Sequence, residues 1–348
     1  MNPRMLVTAR ESRGLSQKEL AEMAGVPSGT LSKAENGLTD LTEDRLVAIA
    51  RVLDYPRHML DWPDPIYTPQ SSGFYHRKQQ SLPQKALNKA HASVNLLRIR
   101  LSRLSEGVTI TPRFPMPALA SDDDDQTPES IAQRVRHIWA LPSGPVDNMI
   151  AVLEAAGAFV VRRDLGSPRI SAISLRISGD RPLFVLNEGM PPDRERFSLA
   201  HELGHLVMHE FLPPQGEREA DRFASEFLMP SDDIRPHLYG LDLRLAARLK
   251  PYWKTSMASI IRKANTLEVI TPTRYKSLIV QMAQRGMNKV EPVDLPREEP
   301  TVIDAIVDVH RRSHGYTEQQ LAHLSGLLED EYRVEFATPT LGGLRVVR

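Results

Sequence analysis

The feature that most limits what this chain can fold into is a pair of histidines inside an apolar stretch, FSLAHELGHLV at 197–207. Phe197, Leu199, Leu203, Leu206 and Val207 recur at helical spacing, which predicts a buried helix. On that helix His201 and His205 lie one turn apart on the same face. Two imidazoles so placed can share one zinc ion, so the helix must be packed with its histidine face toward another ligand-bearing element. Glu202 sits beside them, where a carboxylate can take a proton from water that zinc has acidified toward a pKa of about 7. Gly204 removes side-chain bulk and is expected to let a neighbouring strand or a substrate approach.

A catalytic zinc needs a third protein ligand. The segment EREADRFASEFLMP, which follows, offers Glu217, Glu219, Asp221 and Glu226. His209 is four residues beyond His205 but roughly 12 Å from His201 by helix rise. One ion cannot bind all three histidines, and His209 reads as a polar residue near the helix end.

Three apolar runs precede the histidine helix: AFVVRRD (158–164), SAISLRI (171–177) and PLFVLN (182–187). Their length and composition predict strands, so this region is expected to be α+β with a small sheet. It is expected to open at Thr127, an N-cap followed by Pro128 at the first helical position. Helices are predicted over Pro191–Glu210, over Glu217–Met229 and through 241–286. The tail beyond Pro296 is expected to be a small accessory region, and no internal repeat is evident.

Residues 1–60 read as short helices. Ser16 and Glu19 form a capping-box pattern ahead of Leu20 and Ala24. Gly25 breaks that helix, and a second runs from Ser28 to Glu35 and stops at Asn36-Gly37. A third, from Thr42 to Leu53, places Leu46, Ile49, Ala50 and Leu53 on one face.

Lysine plus arginine equals aspartate plus glutamate at 44 each, so net charge identifies no partner. The distribution is more informative. From His76 to Arg113 there are eight Lys or Arg against one acid, Glu106, and an acidic run, Asp122–Asp125, follows. The first 60 residues hold eight of each sign and are neutral. The absence of cysteine excludes disulfides, thiolate–zinc sites and thiol catalysis, and fits a reducing compartment. The first residues carry no signal-peptide pattern, and no run of about 18 apolar residues exists. The expected location is the cytoplasm, without a membrane span.

Two resemblances sharpen this reading. SQKELAEMAGVPSGTLSKAENG, with the flanking residues 4–60, resembles the Cro/repressor (XRE) helix-turn-helix family. Such a motif lays its second helix in the major groove. Ser28, Gly29, Ser32 and Lys33 face outward toward base edges, while Gln17 and Asn36 occupy positions where that family commonly touches phosphate. RFSLAHELGHLVMHE followed by EREADRFASEFLMP, together with KPYWKTSMASIIRKA, resembles the ImmA/IrrE family of metallopeptidase-like proteins over roughly 145–265. Thr255 stands where that family's Lys-x-x-Trp-x-Val-Ser segment has valine. The resemblance implies Zn2+ as cofactor, His201, His205 and Glu219 as ligands, and Glu202 as general base. Glu219, next to Ala220-Asp221, is preferred to Glu217, and Asp221 is a candidate for orienting a ligand histidine. Tyr239, Tyr252, His237 and Arg196 are candidate transition-state donors, with none singled out.

The expected architecture is mainly α with an α+β domain. A five-helix helix-turn-helix domain spans 1–60, a linker 61–75, and a basic helix with an acidic connection 76–126. A zincin-like metallopeptidase domain with a small sheet spans 127–290, and a helical accessory region 291–348. The implied function is a regulator that binds a double-stranded DNA operator as a homodimer and cleaves a regulatory protein in cis or in trans. The leucine line 87–104 is a candidate dimer interface, or else a face that packs on the metallopeptidase domain. The alternatives are a regulator whose metal site senses or binds without proteolysis, and the antitoxin-like half of a toxin–antitoxin pair. The protein partner is accordingly a repressor or a cognate toxin.

Overall fold

A computed structural model describes residues 1–68, 74–76 (backbone), 83–119, 126–177, 179–211 and 213–336. The acidic run Asp122–Asp125, and Arg77 and Lys78 of the basic stretch, lie outside the described residues. In chain order the first elements are α1 (Pro3–Ser12), α2 (Gln17–Met23), α3 (Ser28–Glu35), α4 (Glu43–Val52), β1 (Phe74–His76) and α5 (Gln84–Ser105). Then come α6 (Pro128–Ile138), α7 (Met149–Ala155), β2 (Phe159–Arg163), β3 (Ala172–Leu175) and β4 (Leu183–Asn187). The remaining helices are α8 (Pro192–Met208), α9 (Gly216–Leu228), α10 (Ser231–Ile234), α11 (Leu243–Trp253), α12 (Met257–Thr266), α13 (Pro272–Gln284), α14 (Val302–Arg312), α15 (Glu318–Ser325) and α16 (Glu329–Phe336). Two compact units result. One takes residues 1–68, 83–110 and 301–336, and the other takes 74–76 and the described part of 111–300.

In the first unit, α1 to α4 are followed by a 3₁₀ turn at Arg57–Asp61. The expected capping box is formed: Ser16 Oγ accepts from the Glu19 amide, and the Ser16 amide donates to Glu19 Oε2 at 2.6 Å. Leu20, Leu31, Ala34, Leu46, Ile49, Ala50 and Leu53 are all buried. Helix α5 buries its leucine line, Leu87, Val94, Leu97, Leu101 and Leu104, inside this unit, where it packs on α1, α14 and α15. That line is therefore a core face, and the structure assigns it to neither of the interfaces expected from sequence. The basic character of α5 is also consumed internally. Arg98 donates to Pro65 O, Arg103 to Asp64 Oδ2 at 2.6 Å, and Arg100 pairs with Glu335. The proline-rich stretch up to Thr68 lies along α5, held by paired hydrogen bonds between Asn95 and the Tyr67 backbone.

In the second unit the three expected strands form, and a fourth joins them. The sheet order is β1-β3-β4-β2. Strands β2 and β4 are parallel, with Phe159 opposite Leu183, while β3 runs antiparallel to β4 and β1 antiparallel to β3. Strand β1 comes from residues expected as the end of a linker and the start of a helix. Its tripeptide is too short for a period-2 pattern to show. Helix α8 packs on β3 and β4, and α9 packs on α8. Trp139, Phe184, Phe223, Phe227 and Trp253 fill the core between them. The stretch 241–286, expected to be helical throughout, holds three helices, separated at Lys254 and Glu268, both in the left-handed region.

Candidate metal centre

Pro192 at the first helical position starts α8 with φ already set, and the apolar face of this helix drives into the core. His201, Glu202 and His205 are carried inward with it and are no more than 2% exposed. Gly204 sets the spacing to the next element. A methyl group there would lie 3.0–3.2 Å from the Phe223 side chain of α9, so glycine lets that helix close on α8. The neighbour admitted by Gly204 is thus a helix, where a strand or substrate was expected.

The close approach of α9 delivers Glu217. Its Oε2 lies 3.6 Å from His201 Nε2 and its Oε1 lies 3.4 Å from His205 Nε2, while the two Nε2 atoms are 3.0 Å apart. His201, His205 and Glu217 form the group of donors able to hold a metal ion among the described residues. The two Glu217 distances belong to different carboxylate oxygens, and one ligand atom from each of the three residues lies within 4.8 Å of the others. Two imidazole nitrogens and a carboxylate oxygen fit zinc in their chemistry.

Outer partners fix both imidazoles. His201 Nδ1 is 2.9 Å from Asp221 Oδ1. His205 Nδ1 is 3.1 Å from His209 Nδ1, whose Nε2 is 2.8 Å from Glu219 Oε2. Each Nδ1 thereby has a partner on its far side, and each Nε2 faces the shared centre, where a neutral imidazole would offer its lone pair to a metal. Glu217 and Asp221 are four residues apart on α9 and share one face. Glu219, two residues from Glu217, points elsewhere and meets His209. The third-ligand position expected at Glu219 is therefore not the one the structure brings to the histidine pair. His209, expected as a helix-end polar group, is buried as the link between Glu219 and His205.

Glu202 Oε2 accepts a 2.6 Å hydrogen bond from Ser174 Oγ of β3. Both residues are buried. Ser174 was not singled out from sequence. The signal available was a lone hydroxyl in a strand whose other residues, Ala172, Ile173 and Leu175, are apolar.

The electrostatics favour a cation. Glu202, Glu217, Glu219 and Asp221 put four carboxylates around the imidazoles; Glu202 is buried and the other three are partly exposed, and negative charge at a partly buried site is costly without compensation. Burial by itself lowers the His201 pKa, but hydrogen bonds to Asp221 and Glu217 and the charge of Glu202 override it and carry the imidazole up to about 9. Burial dominates at His205 and takes it down to about 4. Burial would raise Glu217, yet its hydrogen bonds to the two histidines hold it well below the usual carboxylate range.

The other candidates are engaged elsewhere. Glu226 is fully buried and accepts from Lys263 Nζ at 2.6 Å, Ser231 Oγ at 2.5 Å and Gln133 Nε2 at 2.8 Å. Arg196 donates to Val146 O and Lys254 O and pairs with Glu298. His237 accepts from the Trp253 indole, and Tyr239 and Tyr252 are exposed. Within KPYWKTSMASIIRKA, Lys250 bridges Asp193 and Glu291, both at 2.7 Å, which anchors the first turn of α8.

On the first unit, Ser28, Gly29 and Lys33 are exposed on α3, Ser32 is half-buried, and Leu31 and Ala34 face inward as expected. Asn36 is exposed and donates to Ser32 O at 2.8 Å. Gln17 is half-buried, with its amide nitrogen 2.8 Å from Glu35 Oε2.

Comparison with known families agrees with both resemblances. Residues 6–60 match the helix-turn-helix family, and residues 153–265 match the IrrE N-terminal-like domain family. No curated protein matches the chain. Among the described residues, no helix is long and apolar enough to cross a membrane.

Proposed function

We propose that this chain, a DNA-binding helix-turn-helix segment joined to an IrrE N-terminal-like domain, is a cytoplasmic regulator whose second unit is a zinc-dependent peptidase acting on a regulatory protein. The observation that carries the reading is the triangle of His201 Nε2, His205 Nε2 and a Glu217 carboxylate, with Glu202 held beside it by Ser174. A purely structural zinc site needs no general base, and a buried carboxylate costs free energy to keep there.

His201, His205 and Glu217 would hold the zinc, which would supply a Lewis acid able to polarise a peptide carbonyl and acidify water. The chain's own groups do the rest. Asp221 holds His201, and His209 holds His205, each in the tautomer that turns Nε2 inward. Ser174 donates to Oε2 of Glu202 and fixes the carboxylate plane. Glu202 then takes the proton from the attacking water and returns it to the departing amine nitrogen. Exposed Ser28, Gly29 and Lys33 of α3, with Ser32 beside them, face the major groove of an operator. Phosphate contacts come from Asn36 and Gln17, and a homodimer reads two half-sites.

The test is Glu202→Gln in the full chain. Protein fragments that appear in cells with the wild type, identified by mapping new N-termini, should vanish in the variant while bound zinc is retained. Unchanged fragments and unchanged regulation would remove the peptidase and leave a regulator whose metal site senses or binds without turnover.

A further inference from the structure

The C-terminal helices repeat the N-terminal ones. Gly14 and Gly315, and Gly25 and Gly326, are each 301 residues apart, and that single offset aligns the two segments without a gap. It carries α2 onto α15 and α3 (Ser28–Glu35) onto α16 (Glu329–Phe336). Ser16 maps to Thr317, and both are capping boxes. Ser16 Oγ accepts from the Glu19 amide at 3.2 Å, and Thr317 Oγ1 accepts from the Gln320 amide at 3.2 Å. Gly25 and Gly326 end their helices at the same φ of +65°. Leu20, Ala21, Val26 and Leu31 map to Leu321, Ala322, Leu327 and Tyr332, and all eight are buried. Arg10 maps to Arg311, and each pairs with an acid, Glu35 and Glu318 respectively. The repeat is not evident in the sequence, because few of the aligned residues are identical. The shared features are caps, turns and burial.

The outer face of the second motif differs in kind. The positions of Gln17, Ser28, Gly29, Ser32 and Lys33 are held by Glu318, Glu329, Asp330, Arg333 and Val334. Three carboxylates stand where phosphate and base contacts belong, and Arg333, the cation among them, is bonded to all three at 3.0–3.3 Å. Such a face repels DNA, whose affinity for proteins rests on phosphate neutralisation.

The rest of the motif packs mainly on α5, with contacts to the first motif at Arg13 and His58 and to Trp62 just beyond it. His323 stacks on His58 with ring centroids 3.8 Å apart, Gly326 lies against the Trp62 indole, Glu331 pairs with Arg13 at 2.6 Å and Glu335 with Arg100. We infer that residues 302–336 are a second helix-turn-helix that binds protein instead of DNA, and that its partner is this chain's own α5 and, through Arg13 and His58, the first motif, which it braces for operator binding.

This inference rests on DNA binding by the first motif, and two arms on the full-length protein separate the claims. In the first, a random-sequence duplex is titrated at several salt concentrations. Lys33→Glu should weaken binding at least several-fold, whereas the double variant E329Q/D330N should leave both affinity and salt slope unchanged. Tighter binding or a changed slope for E329Q/D330N places α16 on the DNA and overturns the inference. No binding by the wild type refutes the DNA reading without touching the second arm. There, Glu331→Lys should lower hydrogen-exchange protection in α1 and α4 several-fold, and adding Arg13→Glu should restore it. Unchanged protection in Glu331→Lys, or failure of the swap to restore it, overturns the brace.

Discussion

Replacing Glu217 and Glu219 one at a time by glutamine should separate a metal ligand from an outer partner. Glu217 places one carboxylate oxygen 3.6 Å from His201 Nε2 and the other 3.4 Å from His205 Nε2, so it faces both imidazoles directly. Glu219 reaches the same centre only through His209, across contacts of 2.8 and 3.1 Å. Glutamine at 219 still accepts the His209 hydrogen bond but removes the charge behind it. Loss of an outer partner typically weakens metal binding about 10–100-fold, or about 1.4–2.8 kcal/mol. Glu219→Gln should fall at the lower end of that range, and His209→Phe, which removes the acceptor from His205, at the upper end. Glu217→Gln should exceed the range, because it deletes a ligand and leaves two neutral imidazoles as donors. Competition against a chromophoric zinc chelator at neutral pH measures all three. If Glu217→Gln binds zinc like the wild type while Glu219→Gln loses it, the ligand assignment made from the geometry is wrong.

Other consequences are equally direct. Ser174→Ala removes a hydrogen bond to a buried carboxylate, an interaction of about 1.5–3 kcal/mol. Turnover should fall roughly 10–100-fold with zinc stoichiometry unchanged, and a loss of zinc instead would show that Ser174 supports the fold of the site. Lys263→Ala strands Glu226, which is fully buried, and should cost about 3–5 kcal/mol in denaturant unfolding; a change near zero would mean the pair is dispensable. The Glu19 carboxyl is held down to about 2 by the Ser16 backbone and side chain and by Lys85, against an ordinary value of 4.5. Its folded pKa lies below its unfolded one, so its contribution is complete above 4.5 and is lost as pH falls toward 2. Amide protection in α2 should weaken over that window in the wild type and stay flat in Glu19→Ala.

Much of the site was legible because its chemistry is local. An i, i+4 histidine pair on an apolar helix specifies its own geometry, and so does a capping box. What could not be read was rotation between helices. Glu217 and Glu219 lie about 200° apart around α9, and sequence does not state which way α9 turns toward α8. The spacing of Glu217 and Asp221, one turn apart like the two histidines, was the clue to the shared face. Counting eight Lys or Arg over 76–113 could not show that Arg98, Arg100 and Arg103 are met by a backbone carbonyl, Glu335 and Asp64. The second helix-turn-helix was hidden because its fold depends on caps, a left-handed glycine and buried positions, whereas its outer residues differ at every contact position.

The most direct test of the central claim is metal content by mass spectrometry, on protein purified without a histidine tag, comparing the wild type with His201→Ala. The account predicts about one zinc per chain in the wild type and its loss in the variant. A wild type that holds no metal even after zinc loading would contradict it.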